Sequence, residues 1–323
     1  MSGRGAIPEA HAGDHRRRVS FGLMFYLGAS FSRMTKAWRW AEEIGYEAIY
    51  VGDHLWSRRE GESHSYPRYD GGVVLAALAG ATSRVTIGSY VASMENRHPA
   101  VVAKQAITLD HLSAGRLHVG LGAGGNPRDL DVIGVSPSPA AVRSHRFAEY
   151  VTVVRGLLER PEFDFAGRWF SVRHAVRNPR PLQQPRPPIT VAAHSSASLK
   201  IAAEHADTWS SYGISLAVQR AGIKPSPAAA LAATRVRSDQ LDTEAIALGR
   251  DPTSIRRSLL AGLTGDNPWD SEDAFRDFIG RYVDVGINEF VFPCPLADAR
   301  SRPLFDRVSR DVLPELRASY NGA

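Results

Sequence analysis

Short apolar runs rich in β-branched residues alternate with segments of helical periodicity along most of the chain. This alternation is typical of a parallel sheet whose strands are joined by helical crossovers. We predict strands at residues 19–25, 47–52, 84–90, 116–122, 188–193, 207–212, 254–260 and 288–293. Eight strands, each followed by a helix, in a chain of 323 residues match an α/β fold of the (β/α)8 TIM-barrel type better than a doubly wound sheet.

The crossover between the fourth and fifth strands is longer than the others and holds six prolines between residues 161 and 188. Its aromatic run at 163–170 predicts a small hairpin around Gly167, and the prolines that follow predict an extended arm. Elsewhere, apolar residues recur at helical spacing in the segments 37–44, 102–109, 147–158 and 274–285. We expect a flexible tail at 1–18, one barrel domain at 19–323, and a second irregular stretch at 213–227 that could form a lid.

Composition excludes several classes of protein. The chain is 43% hydrophobic and 23% charged, so it does not have the composition of a disordered protein. Its net charge of +5 is spread along the sequence apart from the basic stretch 15–18, which is more typical of a solubilising tail than of a nucleic-acid-binding arm. The single cysteine, Cys294, excludes an intrachain disulfide framework. Because no segment is typical of a membrane span or an export signal, we expect a cytoplasmic protein.

The predicted strand ends are polar and rich in glycine, and in a barrel of this type the chemistry lies where strands end and loops begin. Four of these ends hold the candidate residues, which are Asp53, His54 and Trp56 after the second strand; Ser89 and Tyr90 at the third; Gly122, Gly124 and Asn126 at the fourth; and Ala193, His194 and Ser195 at the fifth. The glycines lack a Cβ, so their backbone could lie flat against a planar ring system.

The fourth strand end also satisfies the pattern G-x-G-x-x-G through Gly120, Gly122 and Gly125. A dinucleotide-binding site would require this fingerprint to open a βαβ unit with an acidic residue about 20 positions later. Here the chain continues into Asn126 and Pro127, for which we predict a further loop. The context therefore argues against a Rossmann site.

His54 is the leading candidate for proton transfer, because imidazole titrates near neutral pH. Positioning a ligand without catalysis is the alternative role for Asp53 and His54. Ser195 could serve as a plain helix N-cap or could belong to a phosphate site at the helix N-terminus. For Cys294, packing is favoured over a nucleophilic role, because no histidine lies nearby in the sequence.

Two catalytic classes lack their sequence patterns. The chain has 11 histidines, yet no H-x-x-x-H, C-x-x-C or comparable ligand spacing, and we predict no metal site. A G-x-S-x-G elbow is also absent, which argues against a serine hydrolase.

The stretch from residue 96 to residue 126 resembles the luciferase-like monooxygenase superfamily, and within it the branch that uses coenzyme F-420, an 8-hydroxy-5-deazaflavin. The resemblance rests on HPAVVAKQ at 98–105, LDHLSAGRL at 109–117 and the glycine-rich strand end that follows. Gly52-Asp53-His54, the hairpin with its proline arm, and the order of the strands support it. It extends over nearly all of residues 19–316.

This resemblance implies a deazaflavin ring lying in the barrel mouth of a hydride-transferring oxidoreductase. It implies that Asp53 and His54 flank the ring, that Ser89 and Tyr90 form a bulge with a cis peptide behind it, and that Asn126 touches it. Backbone amides of residues 193–195 would hold the cofactor phosphate. Trp56 and Tyr212 would contribute to an aromatic substrate pocket. The resemblance also implies a homodimer.

Two departures separate this chain from the sugar-phosphate dehydrogenases of that family. Ala123 stands where those enzymes carry a glutamate, and Arg58 stands where they carry a tryptophan. Both differences favour reduction of an imine, enone or similar acceptor over sugar-phosphate oxidation. The alternatives that remain open are an FMN-dependent monooxygenase on the same fold and a barrel that binds a ligand without turnover.

Overall fold

The computed structural model describes residues 18–55, 69–214, 226–294 and 302–322. The strands in these ranges are β1 (Ser20–Phe25), β2 (Ala48–Val51), β3 (Thr86–Ser89), β4 (Ala92–Ser93), β5 (Leu117–Gly122), β6 (Glu162–Ala166), β7 (Ser171–Val176), β8 (Ile189–Ala192), β9 (Thr208–Ser211), β10 (Arg256–Leu260) and β11 (Glu289–Pro293). The helices are α1 (Phe31–Glu43), α2 (Gly71–Ala81), α3 (Pro99–Leu112), α4 (Pro127–Ile133), α5 (Ala140–Glu159), α6 (Ser196–His205), α7 (Pro227–Ala247), α8 (Glu272–Val283), α9 (Arg302–Arg307) and α10 (Leu313–Asn321).

Within the described residues, eight parallel strands close into a barrel in the order β3-β2-β1-β11-β10-β9-β8-β5, and β5 pairs again with β3. Each of the predicted strands supplies one of these barrel strands, so the predicted fold class is confirmed. The short strand β4 was not predicted and extends the seam at the end of β5. A doubly wound sheet has open edges, so the closed sheet also excludes the Rossmann interpretation of the glycine pattern.

Apolar residues on both faces of the barrel strands explain why this sequence forms a parallel sheet. Strands β1, β2 and β11 are buried along nearly their whole length. On the outside, the Trp38 ring of α1 packs edge-on against Phe25, and the Phe278 ring of α8 packs against Phe290. The helical stripes therefore cover the sheet from outside.

The predicted insertion is present between α5 and β8, where β6 and β7 form a separate antiparallel hairpin. The Glu149 carboxylate of α5 fixes the tip of this hairpin, since it accepts the backbone N–H groups of Arg168, Trp169 and Phe170 at 2.8, 2.9 and 3.1 Å. These hydrogen bonds dock the hairpin on the helix layer.

The arm that follows is fixed by Asp110, a fully buried residue of α3. Its carboxylate accepts the N–H groups of Leu182 and Gln183 at 2.7 and 3.0 Å and the Gln183 side-chain amide at 2.7 Å. Arg116 completes the same region by donating to the Ala79 carbonyl near the end of α2 and to the Val85 carbonyl just before β3. The motif at 109–117 that carries the family resemblance is therefore structural.

Helices α2, α7 and α4 were not predicted, each for an identifiable reason. Helix α2 is apolar or glycine all round, so it shows no helical period, and α7 is rich in alanine in its first half. The prediction of a loop after Asn126 is wrong: Asn126 caps α4, and Pro127 occupies its first position. That combination favours a helix start.

Parts of the predictions fall outside the described residues. These are most of the N-terminal tail, Trp56 and all but the ends of the irregular stretch at 213–227. No helix among the described residues is both long and apolar enough to cross a membrane.

Replacing Asp110 with alanine tests the structural role of the motif. The variant leaves three donors of the arm without their acceptor, and we expect the free energy of unfolding to fall by about 3 kcal/mol. The control is Thr108→Ala, at an exposed position on the same helix. This variant should change the free energy of unfolding by less than about 0.5 kcal/mol. Urea denaturation measures both values. Equal midpoints for the two variants would contradict this role for Asp110.

Candidate active site at the carboxyl ends of the barrel strands

Parallel strands end at the same edge of the barrel, so the candidate residues that follow β2, β3, β5 and β8 lie on one face of the molecule. Among these residues the structure forms two polar groups. One surrounds His54 and Asn126, and the other surrounds His194 and Tyr212.

His54 lies in a hydrogen-bonded cluster that the sequence did not predict in full. Its Nδ1 atom lies 2.7 Å from Oδ2 of Asp129, a residue of α4. The Asn126 amide nitrogen lies 3.0 Å from the same oxygen, and the Leu55 N–H donates to Oδ1 at 3.0 Å. The His54 side chain is 46% exposed, whereas that of Asp129 is 7% exposed. The cluster therefore presents one edge of the imidazole to solvent and buries its partner.

Asp129 is negatively charged at neutral pH. Burial alone would raise the pKa of its carboxyl group, but the hydrogen bond and charge of His54, together with the Leu55 amide and Asn126, hold that pKa below its ordinary value. A negatively charged acceptor therefore lies next to the His54 ring.

Asp53 has a different environment from its neighbour. Its carboxylate is 6% exposed and accepts Nη1 of Arg97 at 2.7 and 2.8 Å. Asn96 donates to the Asp53 carbonyl at 2.9 Å. Burial raises the pKa of Asp53, and Arg97 opposes that shift. Asp53 thus joins the loop after β2 to the loop before α3.

The bulge after β3 contains the cis peptide that the family resemblance implies, between Tyr90 and Val91. The Ser89 hydroxyl donates to the Gly120 carbonyl at 2.9 Å. The Tyr90 side chain is buried, packs on Tyr50 and lies 2.8 Å from the Ser258 hydroxyl. Its phenol therefore occupies the barrel interior.

The glycines at the end of β5 are required by close contacts within the protein. A Cβ on Gly120 would lie 2.0 Å from the Ser89 carbonyl oxygen, and one on Gly122 would lie 2.4 Å from the Val91 side chain. Gly124 has a φ of +66°, which favours glycine. Glycine is therefore needed at these positions for the bulge after β3 to pack, whether or not a ligand binds.

The backbone amides at the fifth predicted strand end already have acceptors. The Ala193 N–H donates to the Ser210 carbonyl, and those of His194 and Ser195 donate to Ser198 Oγ at 3.1 and 3.0 Å. Ser195 is the N-cap of α6 and forms a capping box with Ser198. Of the two roles predicted for Ser195, the structure therefore shows that of a helix N-cap.

The His194 ring packs against Tyr212, with ring centroids 3.7 Å apart. Burial lowers the pKa of His194 to about 3, and the nearby Arg237 adds to this effect, so the ring is neutral at physiological pH. Its two nitrogens are shielded from solvent and have no hydrogen-bond partner among the described residues. Arg237 donates to the carbonyls of His194 and Gly213. A guanidinium and an unused imidazole therefore lie together beside α6.

Sequence reasoning missed Asp129, Arg97 and Arg237. A signal for Asp129 was present, because Asn at a cap, Pro at the next position and Asp two residues later favour a helix start. Arg97 and Arg237 had no such signal. Each acts on a residue more than 40 positions away.

Other candidate features carry little chemistry. Burial raises the pKa of the Cys294 thiol to about 12, which agrees with packing. No group of three or more His, Cys, Asp or Glu side chains in the described ranges could hold a metal ion. A groove of about 550 Å³ lies between α2 and α3, but its lining has no carboxylate, imidazole or thiol. The strand ends remain the candidate active site.

A family model for the luciferase-like monooxygenases matches residues 9–282. The chain belongs to the luciferase-like monooxygenase family.

Relatives in this family include enzymes of different chemistry. The chain is 31% identical over 189 residues to 4-hydroxyprotoasukamycin monooxygenase of Streptomyces nodosus subsp. asukaensis, a match that covers 58% of this chain and 48% of that protein. It is 26% identical over 314 residues to the F-420-dependent glucose-6-phosphate dehydrogenase of Beutenbergia cavernae, covering 86% of this chain and 91% of the relative.

The same fold occurs in the coenzyme F-420-dependent tetrahydromethanopterin reductase of Methanopyrus kandleri. The two structures superpose with a TM-score of 0.71 at 17% identity, covering 92% of this chain and 99% of the other. This likeness confirms the luciferase-like barrel.

Substituting Gly120 tests the packing of the strand bulge in this luciferase-like barrel. The Cβ of Gly120→Ala would overlap a backbone carbonyl, and we expect the free energy of unfolding to fall by about 3 kcal/mol or more. The matched control is Gly80→Ala in α2, where a Cβ meets nothing within 4 Å. There the free energy of unfolding should rise by about 0.5–1 kcal/mol, because alanine favours the helix. Thermal and urea unfolding give both values, and a neutral Gly120→Ala would refute the packing argument.

Proposed function

We propose that the protein is a coenzyme F-420-dependent oxidoreductase that transfers a hydride between the reduced cofactor and a small organic substrate, with His54 as its proton donor or acceptor. The observation that supports this most directly is the His54 imidazole, which is half exposed at the barrel mouth and bound at Nδ1 by a buried carboxylate. A hydride transfer to or from carbon requires a matching proton transfer, and imidazole performs it near neutral pH.

The described residues suit a planar coenzyme with an anionic side chain. The exposed imidazole edge of His54 would face the reacting centre. At the other group, the Arg237 guanidinium next to His194 would bind the phosphate-bearing side chain, as would the backbone amides of Ser196 and Ala197 in the first turn of α6. The amides of residues 193–195 would contribute through the capping box that orients this turn.

When bound, the deazaflavin supplies or accepts a hydride at a ring carbon and reacts poorly with oxygen. The chain provides the remaining functions. The Asp53–Arg97 ion pair holds the loop that carries His54. The bulge at Ser89–Val91, fitted against Gly122 and followed by the turn at Gly124, would support the ring from behind. Asn126 would act through Asp129 and His54.

The proposed substrate class is an imine, enone or similar acceptor. The F-420-dependent sugar-phosphate dehydrogenases that this chain resembles carry a glutamate in the turn that corresponds to the one after β5. This chain has Ala123 there. A single acid–base group is sufficient when one heteroatom gains or loses a proton. Tyr212 and Trp56 would line the pocket for such a substrate.

An FMN-dependent monooxygenase is the second candidate. It is favoured by the 31% identity to 4-hydroxyprotoasukamycin monooxygenase. In that case FMN would occupy the same barrel mouth, and oxygen rather than a reducible organic group would be consumed.

Binding of the two cofactors separates these candidates. Purified protein is titrated with oxidised coenzyme F-420 and, in parallel, with FMN, and cofactor fluorescence is followed. We expect saturable binding of coenzyme F-420 with a dissociation constant in the micromolar range, and FMN binding at least about tenfold weaker. The reverse preference would support the monooxygenase, and binding of neither cofactor would refute both proposals.

Removing the imidazole tests turnover. We expect His54→Ala to lower kcat by about 100-fold to 10,000-fold, because general acid–base catalysis contributes a factor of that size, while the dissociation constant of coenzyme F-420 changes less than about threefold. His145→Ala is the matched control, since that exposed histidine of α5 stacks on Trp169 and should leave kcat unchanged. Unchanged turnover in His54→Ala would instead favour a different acid–base group.

A further inference from the structure

The Asp129 carboxylate contacts hydrogen-bonding groups of three residues, two of which, His54 and Leu55, are adjacent in the chain. Oδ1 accepts the Leu55 N–H at 3.0 Å, and Oδ2 lies 2.7 Å from His54 Nδ1 and 3.0 Å from the Asn126 side-chain nitrogen. The residue is 5% exposed. Because α4 carries Asp129 and is capped by Asn126, this short helix forms the support of the imidazole.

The orientation of each group in the cluster is determined by its donors. A backbone N–H can only donate, so the Leu55 amide requires an acceptor at Oδ1. The Asn126 carbonyl oxygen accepts the Arg128 N–H at 3.2 Å, and its amide nitrogen is therefore the end that faces Asp129. An ionised carboxylate can only accept hydrogen bonds, so His54 must be the donor in its contact with Asp129.

A hydrogen on His54 Nδ1 follows from this arrangement. Nδ1 donates to the carboxylate at 2.7 Å. The Asn126 amide nitrogen lies 3.2 Å from Nδ1 and 3.0 Å from Oδ2 of Asp129, and it donates to the nearer carboxylate oxygen. In the neutral ring the lone pair is left on Nε2.

We propose that Asp129 is a positioning residue that holds His54 in the Nδ1–H tautomer and makes Nε2 the atom that exchanges a proton with substrate. This inference rests on the proposed function for its kinetic consequence. In the reducing direction, the Nε2–H bond of the imidazolium breaks and its proton goes to the substrate heteroatom. That heteroatom takes the electron pair of the C=N or C=O π bond, or of the conjugated C=C–C=O system, while carbon receives the hydride of the reduced deazaflavin. Neutral His54 keeps its hydrogen on Nδ1.

Asparagine at position 129 is the sharpest test, because it keeps the shape and exchanges one acceptor for a donor. With its oxygen kept at the Leu55 N–H, its NH2 group faces Nδ1 of His54, and the Asn126 amide, which loses its acceptor, can also donate to Nδ1 at 3.2 Å. Nδ1 then becomes the acceptor, and the hydrogen moves to Nε2. We therefore expect His54 to be in the Nε2–H tautomer in Asp129→Asn, with little change in packing.

The tautomer is measured by long-range ¹⁵N–¹H correlation spectra of the ¹⁵N-labelled full-length protein without cofactor, at a pH where the ring is neutral. His54 signals are assigned by their loss in His54→Ala. We expect Nδ1–H in the wild type and in the control Asp131→Asn, an exposed aspartate on the same helix, and Nε2–H in Asp129→Asn. An Nε2–H tautomer in the wild type would overturn the proposal without any variant, and so would an unchanged tautomer in Asp129→Asn.

Turnover gives the second measurement. With coenzyme F-420 and a reducible substrate, Asp129→Asn should lower kcat about 100-fold while KM and the cofactor dissociation constant change less than about threefold. Asp129→Glu, which restores an acceptor, should recover the Nδ1–H tautomer and part of kcat. If the wild type binds no coenzyme F-420 but shows the predicted tautomers, the proposed function fails and the positioning role stands. A tautomer change with unaltered kcat would overturn the kinetic part.

Discussion

The barrel closes where β3 meets β5, and this closure depends on backbone positions that carry no side chain. A Cβ on Gly88 would lie 2.5 Å from the His118 carbonyl oxygen, and one on Gly120 would lie 2.0 Å from that of Ser89. The Tyr90–Val91 cis peptide lies between β3 and β4, next to this close contact. The loop before α3 follows this bulge in the chain, and its Arg97 donates to the Asp53 carboxylate. The position of the His54 loop therefore follows from the packing of this seam.

The motif that carries the family resemblance lies beside the seam and has no direct part in the proposed chemistry. Asp110 fixes the proline-rich arm, and Arg116 holds the end of α2. Both side chains satisfy several backbone groups of neighbouring segments at once, a requirement that few other residue types can meet. This explains how a motif can identify the fold clearly and still leave cofactor and substrate open, since these depend on the strand ends.

Local patterns predicted much of the fold. The eight barrel strands, the hairpin around Gly167 and the cap at Ser195 all depend on residues close together in the sequence. Helix α2 was missed because an apolar helix shows no period, and α4 because a glycine-rich turn precedes it. The candidate site was predicted only in part. His54 and Asn126 were named, but their shared partner Asp129 lies 75 positions from His54, and no local pattern links the two.

The sequence by itself determined the barrel class, the insertion and the set of polar residues at the strand ends, because strand and helix periods, turn residues and caps act over a few positions. Only the tertiary structure decided what each of those residues does. In the folded protein the Tyr90 phenol points to the barrel interior, Asp53 pairs with Arg97, and Asp129 contacts Nδ1 of His54. These choices depend on which loops the closed barrel brings together, and hydrogen bonds between distant loops have no signature in sequence spacing.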